Sequence, residues 1–347
     1  MDVHVPPTAV PARVFLTGGS GLLGSHIAER LLEAGHQVVA LQRPTSNTGL
    51  LKEMGCSVAE GDIRDASDAL ATHMEGCRWV VHCAAVVYSG TEWPSVRAVN
   101  VDGTRNVLGG AARAGVEHAV HISSVSVYGQ ITSETDEIRP LDGPLRPRDL
   151  YARSKRMAEE VAMELHESGR LSVTLVRPSV VYGERDRLFT PRLVRLLRLP
   201  VVPVLGSGDN TVPVVYAGNV SAGVESALSG KGAGQAFNLS EDHALTQQEL
   251  LTGLARGLGR TPRFVHLPAG LIRGVARLGD AVRLPVPGAE GLALSRVARI
   301  ALRDNPYRSA RACDILGWRP PHRHAEALRR TGEWLSGRLH QQAPRTR

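Results

Sequence analysis

The sequence predicts an α/β fold: a doubly wound parallel sheet with a smaller, mixed but mainly helical C-terminal lobe. Three observations carry that reading. Short β-branched runs alternate with amphipathic stretches through the first 180 residues. Those runs are continuously apolar, as strands covered on both sheet faces are. A glycine-rich turn joins the first run to the first helical stretch.

In chain order, RVFLT (13–17) reads as a strand and the stretch LLGSHIAERLLEAG as a helix. Leu23, Ile27 and Leu31 share one face of that helix, and Gly35 stands where it should end. QVVAL (37–41) follows as the second strand, then SVAEG, RWVVHCAA, HAVHISSV and LSVTLVRP, with helical stretches between them. Parallel strands joined by helical crossovers give a doubly wound sheet. After Pro178 the pattern changes. PRLVRLLRLP reads as helix, PVVPVLGSG and VPVVYAG as strands, and QAFNLSEDHALTQQELLTGLARGL as a strand and a helix opened by a Thr246–Glu249 capping box. The last 80 residues read as mostly helical and proline-punctuated, ending in AEALRRTGEWLSG. The expected division is a flexible tail over 1–12, a dinucleotide-binding domain over 13–180, and a substrate lobe over 181–347 that returns some segments to the main sheet. With no repeat and no low-complexity linker, the lobe is expected to pack on the first domain.

Composition narrows the function. The 347 residues are 42% hydrophobic and 22% charged, enough for a large core and unlike a disordered, collagen-like or disulfide-stapled chain. No apolar run reaches the roughly 18 residues that span a bilayer. The start MDVHVPPTAVPAR has no basic segment followed by an apolar one, so no signal peptide is read. Cys56, Cys77, Cys83 and Cys313 form no CxxC pair, which fits a reducing cytoplasm. The net charge of +7 comes from scattered arginines with few aromatics between them, so no nucleic-acid partner is expected. Lysines occur only at 52, 155 and 231. No histidine has metal-ligand spacing, and no metal site is assigned.

The turn Thr17-Gly18-Gly19-Ser20-Gly21-Leu22-Leu23-Gly24 lies between a strand and a helix and satisfies G-x-G-x-x-G. Glycine lets the backbone approach a pyrophosphate, and the helix N-terminus offers unpaired N–H groups and partial positive charge. This is the dinucleotide fingerprint of a Rossmann fold; the alternative is a tight turn with no ligand. The second strand ends in Leu41-Gln42-Arg43-Pro44, without the carboxylate that binds a ribose 2′-hydroxyl. Arg43 can pair with a 2′-phosphate, which favours NADP with NAD as the alternative; it can also stack on adenine or face solvent.

Tyr151 and Lys155 form Y-x-x-x-K on a helical stretch, and residues i and i+4 share a face. A chance pairing of this kind is expected only roughly 0.05 times in such a chain. A free phenol titrates near ~10, and a neighbouring ammonium lowers that value into a useful range. Lysine can also hold a ribose hydroxyl. Ser124, in HISSVSVYG, falls at a strand end, where ligands bind in such sheets; Ser123 and Ser126 are alternatives on spacing alone.

With these residues the chain resembles the extended short-chain dehydrogenase/reductases, the NAD(P)-dependent epimerase/dehydratase-like group, over nearly its whole length. TGGSGLLG, GDIRD, HCAA, VNVDGTRNV, SSVSVYG, YARSK and RPSVVYG carry the likeness. It implies Ser124 as the catalytic serine, Tyr151 and Lys155 as the acid/base pair, and an enzyme acting on CH–OH groups. It further implies that Gly18, Ser20, Gly21, Leu22, Leu23 and Gly24 cradle the cofactor and that Asp62 and Ile63 flank the adenine. Ala84 and Ala85 then line the cofactor, Asn100 contacts it at the site floor, and Pro178 and Val180 reach the nicotinamide end. Relatives commonly dimerise through two helices, so a homodimer is implied.

Departures from the pattern select among reactions. Nucleotide-sugar epimerases carry an asparagine after the sixth strand and an arginine in a GDGxxxR segment; here these places read Ser179 and Val212. Sugar-nucleotide dehydratases have an Asp-Glu pair where this chain has Val125-Ser126. VVYAGNV and the tail from LPAGLIRGVARLGDAV to YRSARACDILGWRPP look more like the 3β-hydroxysteroid dehydrogenase-like branch, with ketoreductases acting on apolar or β-keto substrates. The stretch 267–282 would then build an apolar pocket, or serve as plain packing helices. The expected reaction is NADP(H)-dependent interconversion of a secondary alcohol and a ketone. The alternatives are a cofactor-retaining epimerase and a non-catalytic dinucleotide sensor.

Overall fold

A computed structural model describes residues 11–87, 92–131, 135–137, 141, 143–146, 149–240, 245–272, 274, 275 and 302–342. The expected tail over 1–12, except its last two residues, and 273 and 276–282 of the expected pocket segment lie outside the described residues. The chain divides into two compact units: 1–179 with 218–239 and 308–320, and 180–217 with 240–307 and 321–347.

The first unit is built on a seven-stranded parallel sheet of Rossmann type. Its strands are β1 (Arg13–Thr17), β2 (Gln37–Gln42), β3 (Ser57–Glu60), β4 (Trp79–His82), β5 (His118–Ile122), β6 (Ser172–Pro178) and β10 (Ala236–Leu239). Their order across the sheet is β10-β6-β5-β4-β1-β2-β3. The chain winds outward from β1 through β2 and β3, then returns to lay β4, β5 and β6 on the other side. The winding therefore switches between β1 and β4, where open α/β sheets bind ligands beyond the strands' carboxyl ends. β4 and β5 are buried along their whole length, as their unbroken apolar and histidine-bearing sequences require when helices cover both faces.

Helices α1 (Leu22–Glu33), α2 (Gly49–Glu53), α3 (Ser67–His73), α4 (Trp93–Arg97), α5 (Gly103–Arg113) and α6 (Leu150–Glu167) lie between the strands. A π-turn over Ala98–Asp102 joins α4 to α5, and a 3₁₀ turn over Val125–Tyr128 follows β5. Phe15, Val80, Leu108, Ala119 and Val173 are fully covered in one core cluster. Helix α6 starts where Asp149 caps the Ala152 amide through Oδ1 at 3.2 Å. It buries Ala158, Val161, Ala162 and Leu165 and leaves Glu160, Glu164 and Glu167 exposed. Helix α8 (Ala217–Ala227), in this unit from Gly218 on, precedes β10.

The second unit holds two parallel strand pairs, β7 (Val180–Tyr182) with β9 (Val214–Tyr216), and β8 (Val202–Leu205) with β11 (Phe264–Leu267). Its helices are α7 (Thr190–Leu197), α9 (Gln247–Gly257) and α10 (His324–Gln342). Buried Asp186 accepts from the Thr190 amide and hydroxyl at 2.6 and 2.5 Å and fixes the start of α7. The capping box forms at α9: Thr246 Oγ1 accepts from the Glu249 amide, and the Glu249 carboxylate accepts from the Thr246 amide. All four cysteines are free thiols. Among the described residues, no helix is long and apolar enough to cross a membrane, and no group of three or more metal-ligating side chains assembles.

Candidate functional site

At the end of β1 the chain turns sharply. Gly18 has φ +73°, and a Cβ there would lie 2.7 Å from the Ala84 amide nitrogen. A Cβ on Gly24 would lie 2.1 Å from the Gly18 carbonyl oxygen. Both places therefore demand glycine, one for conformation and close approach to the β4 loop, the other for helix-to-turn packing. The Gly21 amide closes the turn on the Gly18 carbonyl at 3.0 Å. Helix α1 then starts with no side-chain cap and no acidic residue in its first turn. Its first amides, around Leu22 and Leu23, have no intrahelical partner by geometry, and Ser20 and Gly21 beside them are exposed. This glycine cradle with open N–H groups fits a pyrophosphate.

The ribose and adenine end adds a residue that bears an amide where a carboxylate is usual. Gln42, the last residue of β2, is buried, and its Nε2 has no partner among the described residues. It lies 3.4 Å from where a Cβ on Gly19 would stand. A buried amide without a partner, beside the phosphate turn, fits a nucleotide hydroxyl. Arg43 follows it and is exposed. Asp62 is held by Arg64, whose Nε and guanidinium nitrogen lie 3.0 and 2.7 Å from its carboxylate. That hydrogen bond, with smaller contributions from the charges of Arg64 and Arg43, lowers the Asp62 pKa against its partial burial. Ile63 is turned inward, its side chain packed against Gly103. Ala84 and Ala85 are half-buried in the loop after β4.

Ser124 follows β5 and begins the 3₁₀ turn. Its Oγ accepts from the Ser126 amide at 3.2 Å, which leaves the hydroxyl hydrogen free to donate outward. The three candidate serines stand in different surroundings: Ser124 is half-buried, Ser123 is buried, and the Oγ atoms of Ser123 and Ser126 are both covered without a partner among the described residues. Tyr151, half-buried, sits in the first turn of α6, with Lys155 one turn on. The Lys155 side chain is buried, and its Nζ donates to the Ile122 carbonyl at 2.7 Å. That bond ties the lysine to the strand whose end bears Ser124. Burial pushes the Lys155 pKa down to about 8, partly offset by Cys83 and Glu159.

Asn100, expected on the cofactor at the site floor, bonds protein groups through its side chain. Its Nδ2 donates to the Val86 carbonyl and to Ser154 Oγ at 3.0 and 2.9 Å, and its Oδ1 accepts from the Val86 amide at 2.8 Å. It clamps the loop after β4 to α6. Pro178 is buried at the end of β6, paired in register with Leu239; Val180 opens β7 in the second unit, in register with Val214.

A buried polar network, invisible to motif reading, backs the serine turn. Arg177 makes a two-point ion pair with Glu159 at 2.8 and 2.6 Å and donates to the Tyr128 hydroxyl at 2.9 Å. Tyr128 donates to Asn238 Oδ1 at 2.9 Å. Burial raises the Tyr128 pKa to about 12, so this phenol stays neutral and structural.

The sequence profile of the NAD dependent epimerase/dehydratase family matches residues 14–240. The 4-hydroxy-2-methyl-3-oxo-4-farnesyl-3,4-dihydroquinoline-1-oxide ketoreductase of Stigmatella aurantiaca is 28% identical over 326 residues, covering 92% of this chain and 96% of the relative. The 3 beta-hydroxysteroid dehydrogenase/Delta 5→4-isomerase of Mycobacterium tuberculosis is 29% identical over 335 residues, covering 91% and 88%. Among solved structures, dTDP-glucose 4,6-dehydratase from Streptomyces venezuelae, with NAD bound, superposes with TM-score 0.71 at 27% identity, covering 96% of this chain and 99% of that one.

Proposed function

Within the NAD dependent epimerase/dehydratase family, to which this chain belongs, we propose an NADP(H)-dependent oxidoreductase that interconverts a secondary alcohol and a ketone. One observation carries the reading: Lys155, a turn beyond Tyr151 on α6, is tied through Ile122 to the strand end that presents Ser124 with a free hydroxyl hydrogen. The turn at Gly18–Gly24, the first amides of α1 and the Gln42 amide would hold the dinucleotide, which supplies or accepts the hydride when bound. Ser124 donates a hydrogen bond to the substrate oxygen. Tyr151 gives the proton to that oxygen in reduction and takes it in oxidation. The Lys155 ammonium lowers the phenol's pKa and anchors a ribose hydroxyl.

The preference for NADP rests on the neutral Gln42 and exposed Arg43 at the end of β2, where no carboxylate repels a 2′-phosphate. Arg43→Glu is expected to raise the KM for NADPH by about tenfold or more while changing that for NADH by less than about threefold, since a charge-assisted bond to phosphate is replaced by repulsion. Steady-state kinetics with both dinucleotides check this, and an unchanged NADPH KM removes Arg43 from the site.

For the substrate we favour an apolar or β-keto carbonyl compound. The names of the ketoreductase and steroid dehydrogenase relatives support this class. So does Val212, which stands where nucleotide-sugar enzymes carry arginine and is buried in a hydrophobic cluster. The test is a panel of steroid, β-ketoacyl and sugar carbonyl compounds followed by NADPH absorbance, with NADH alongside. Consumption with ketones of the first two classes is expected. Tightly retained cofactor with sugar interconversion and no net NADPH consumption would instead establish an epimerase, and NADPH binding without turnover on the panel a sensor.

A further inference from the structure

Two histidines lie stacked beneath the site, fully covered, with ring centroids 5.3 Å apart: His82 at the end of β4 and His121 on β5. Their surroundings differ sharply. Both ring nitrogens of His121 lack a partner among the described residues. Both of His82 are engaged, Nδ1 at 2.8 Å from Thr17 Oγ1 and Nε2 at 2.9 Å from Thr104 Oγ1.

The direction of the His82 bonds follows from counting hydrogens. Thr17 Oγ1 accepts from the Cys83 and Ala84 amides, each at 3.2 Å, which fills its two lone pairs. Its one hydrogen must therefore go to His82 Nδ1. The imidazole hydrogen must then sit on Nε2 and be donated to Thr104 Oγ1, while Thr104 donates to the Asn100 carbonyl at 2.8 Å. From Asn100 the connection continues through Nδ2 to Ser154 Oγ, and Ser154 donates to the Tyr151 carbonyl at 2.8 Å. The π-turn over Ala98–Asp102 carries Asn100 within this path, a type of distortion that recurs at functional sites.

We propose that His82, as its neutral Nε2–H tautomer, is a positioning residue that couples the phosphate-binding turn to the helix bearing Tyr151. The proposal rests on the dehydrogenase reading above and deepens it. Thr17 ends the strand that feeds the glycine turn, and its hydroxyl also fixes the Cys83 and Ala84 amides of the opposite wall. The far end of the chain is the backbone of Tyr151. A shift at either end is transmitted through an imidazole that can satisfy both neighbours in only one protonation state. Burial and the nearby Lys155 charge hold the His82 pKa down at about 3, so that state persists across neutral pH.

The test uses the full-length chain. Long-range ¹H–¹⁵N NMR, with and without NADPH, is expected to show His82 unprotonated at Nδ1 and protonated at Nε2 at pH 7. His82→Phe is expected to weaken NADPH binding and lower kcat, each by about tenfold, and Thr104→Val to lower kcat by about fivefold, as loss of a buried hydrogen bond implies. The double variant should match His82→Phe within about twofold, because once the imidazole is gone Thr104 no longer connects the turn to α6. His121→Phe should leave both quantities within about twofold of wild type, since it removes no hydrogen bond found among the described residues. A purely structural role would lower the melting temperature and leave the affinity and kcat of the folded protein unchanged. If His82→Phe does not fold, Thr104→Val keeps the volume and carries the kcat readout. An Nδ1–H or charged His82, unchanged affinity and kcat in folded variants, or multiplicative losses overturn the proposal. A wild-type chain that reduces no ketone defeats the proposed function instead; the tautomer and the NADPH affinities would still decide the role of His82.

Discussion

Lys155→Met is expected to abolish turnover, by about 10²–10⁴ if the proposed proton transfer is its main loss, while making the cofactor-free protein more stable at pH 7. Folding pushes the Lys155 pKa from 10.5 to about 8, chiefly by burial. The folded state therefore disfavours the charged form, and below about pH 8 the whole penalty applies, about 3 kcal/mol from the shift. Between about pH 8 and 10.5 the folded lysine has lost its proton while the unfolded one keeps it. The unfolded state then binds more protons, so stability rises with pH and the penalty is recovered. Methionine fills similar volume without a charge, but strips the Ile122 carbonyl of its donor, a loss of about 1–2 kcal/mol. A net gain of about 1–2 kcal/mol at pH 7 remains, shrinking by pH 10. Urea denaturation at both pH values, with NADPH oxidation at pH 7, checks both halves. A variant less stable than wild type at pH 7 would show that the buried ammonium is compensated. Tyr151→Phe separates the roles: it should lose turnover to a similar degree with cofactor affinity nearly unchanged and no such pH-dependent gain. Such a pairing of inactivity with stability is expected where a charge is buried for chemistry rather than for folding.

The parts of this molecule legible in the sequence are those whose cause is local. The strand-turn-helix at 13–33, the alternation of apolar runs and crossovers, and the Thr246–Glu249 box depend on neighbours within a few residues, and each appears where its pattern placed it. Gly24 could be named from spacing, though its reason, a carbonyl 2.1 Å from any Cβ, is visible only in three dimensions. What stayed hidden depends on partners far apart in the chain. His82 reaches back 65 residues to Thr17 and forward 22 to Thr104, and Tyr128 reaches 110 residues to Asn238. No local pattern announces such pairs. Asn100 shows the converse: resemblance assigned it to the cofactor, and only the positions of Val86 and Ser154 reveal that its amide hydrogens are committed to protein. In sequence Gln42 shows only the lack of a carboxylate; an uncharged amide becomes informative once it is buried with no partner among the described residues.

Glu159→Ala is expected to destabilise the protein by about 3–5 kcal/mol, the usual consequence of removing one partner of a buried ion pair. Arg177 and Glu159 side chains are 6% and 4% exposed and meet at two points, 2.8 and 2.6 Å. Without the carboxylate, the buried guanidinium keeps its bond to the Tyr128 hydroxyl but loses both contacts of the ion pair. The consequence should spread to chemistry. Glu159 lies one turn beyond Lys155 on α6, and Tyr128 closes the 3₁₀ turn that Ser124 begins, so the pair fixes the two elements that the proposed reaction needs in register. The destabilisation comes from the orphaned charge, not from lost attraction alone. Replacing both residues with apolar side chains of similar volume, Glu159→Leu with Arg177→Met, should therefore recover much of the stability without restoring full turnover, because the Tyr128 hydroxyl then loses Arg177 as its donor. Urea denaturation of the single and double variants, with kcat for the ketone reaction, separates the two effects. A single variant that loses less than about 1 kcal/mol would mean that water reaches Arg177, and the buried pair would then not be what holds the serine turn against the helix.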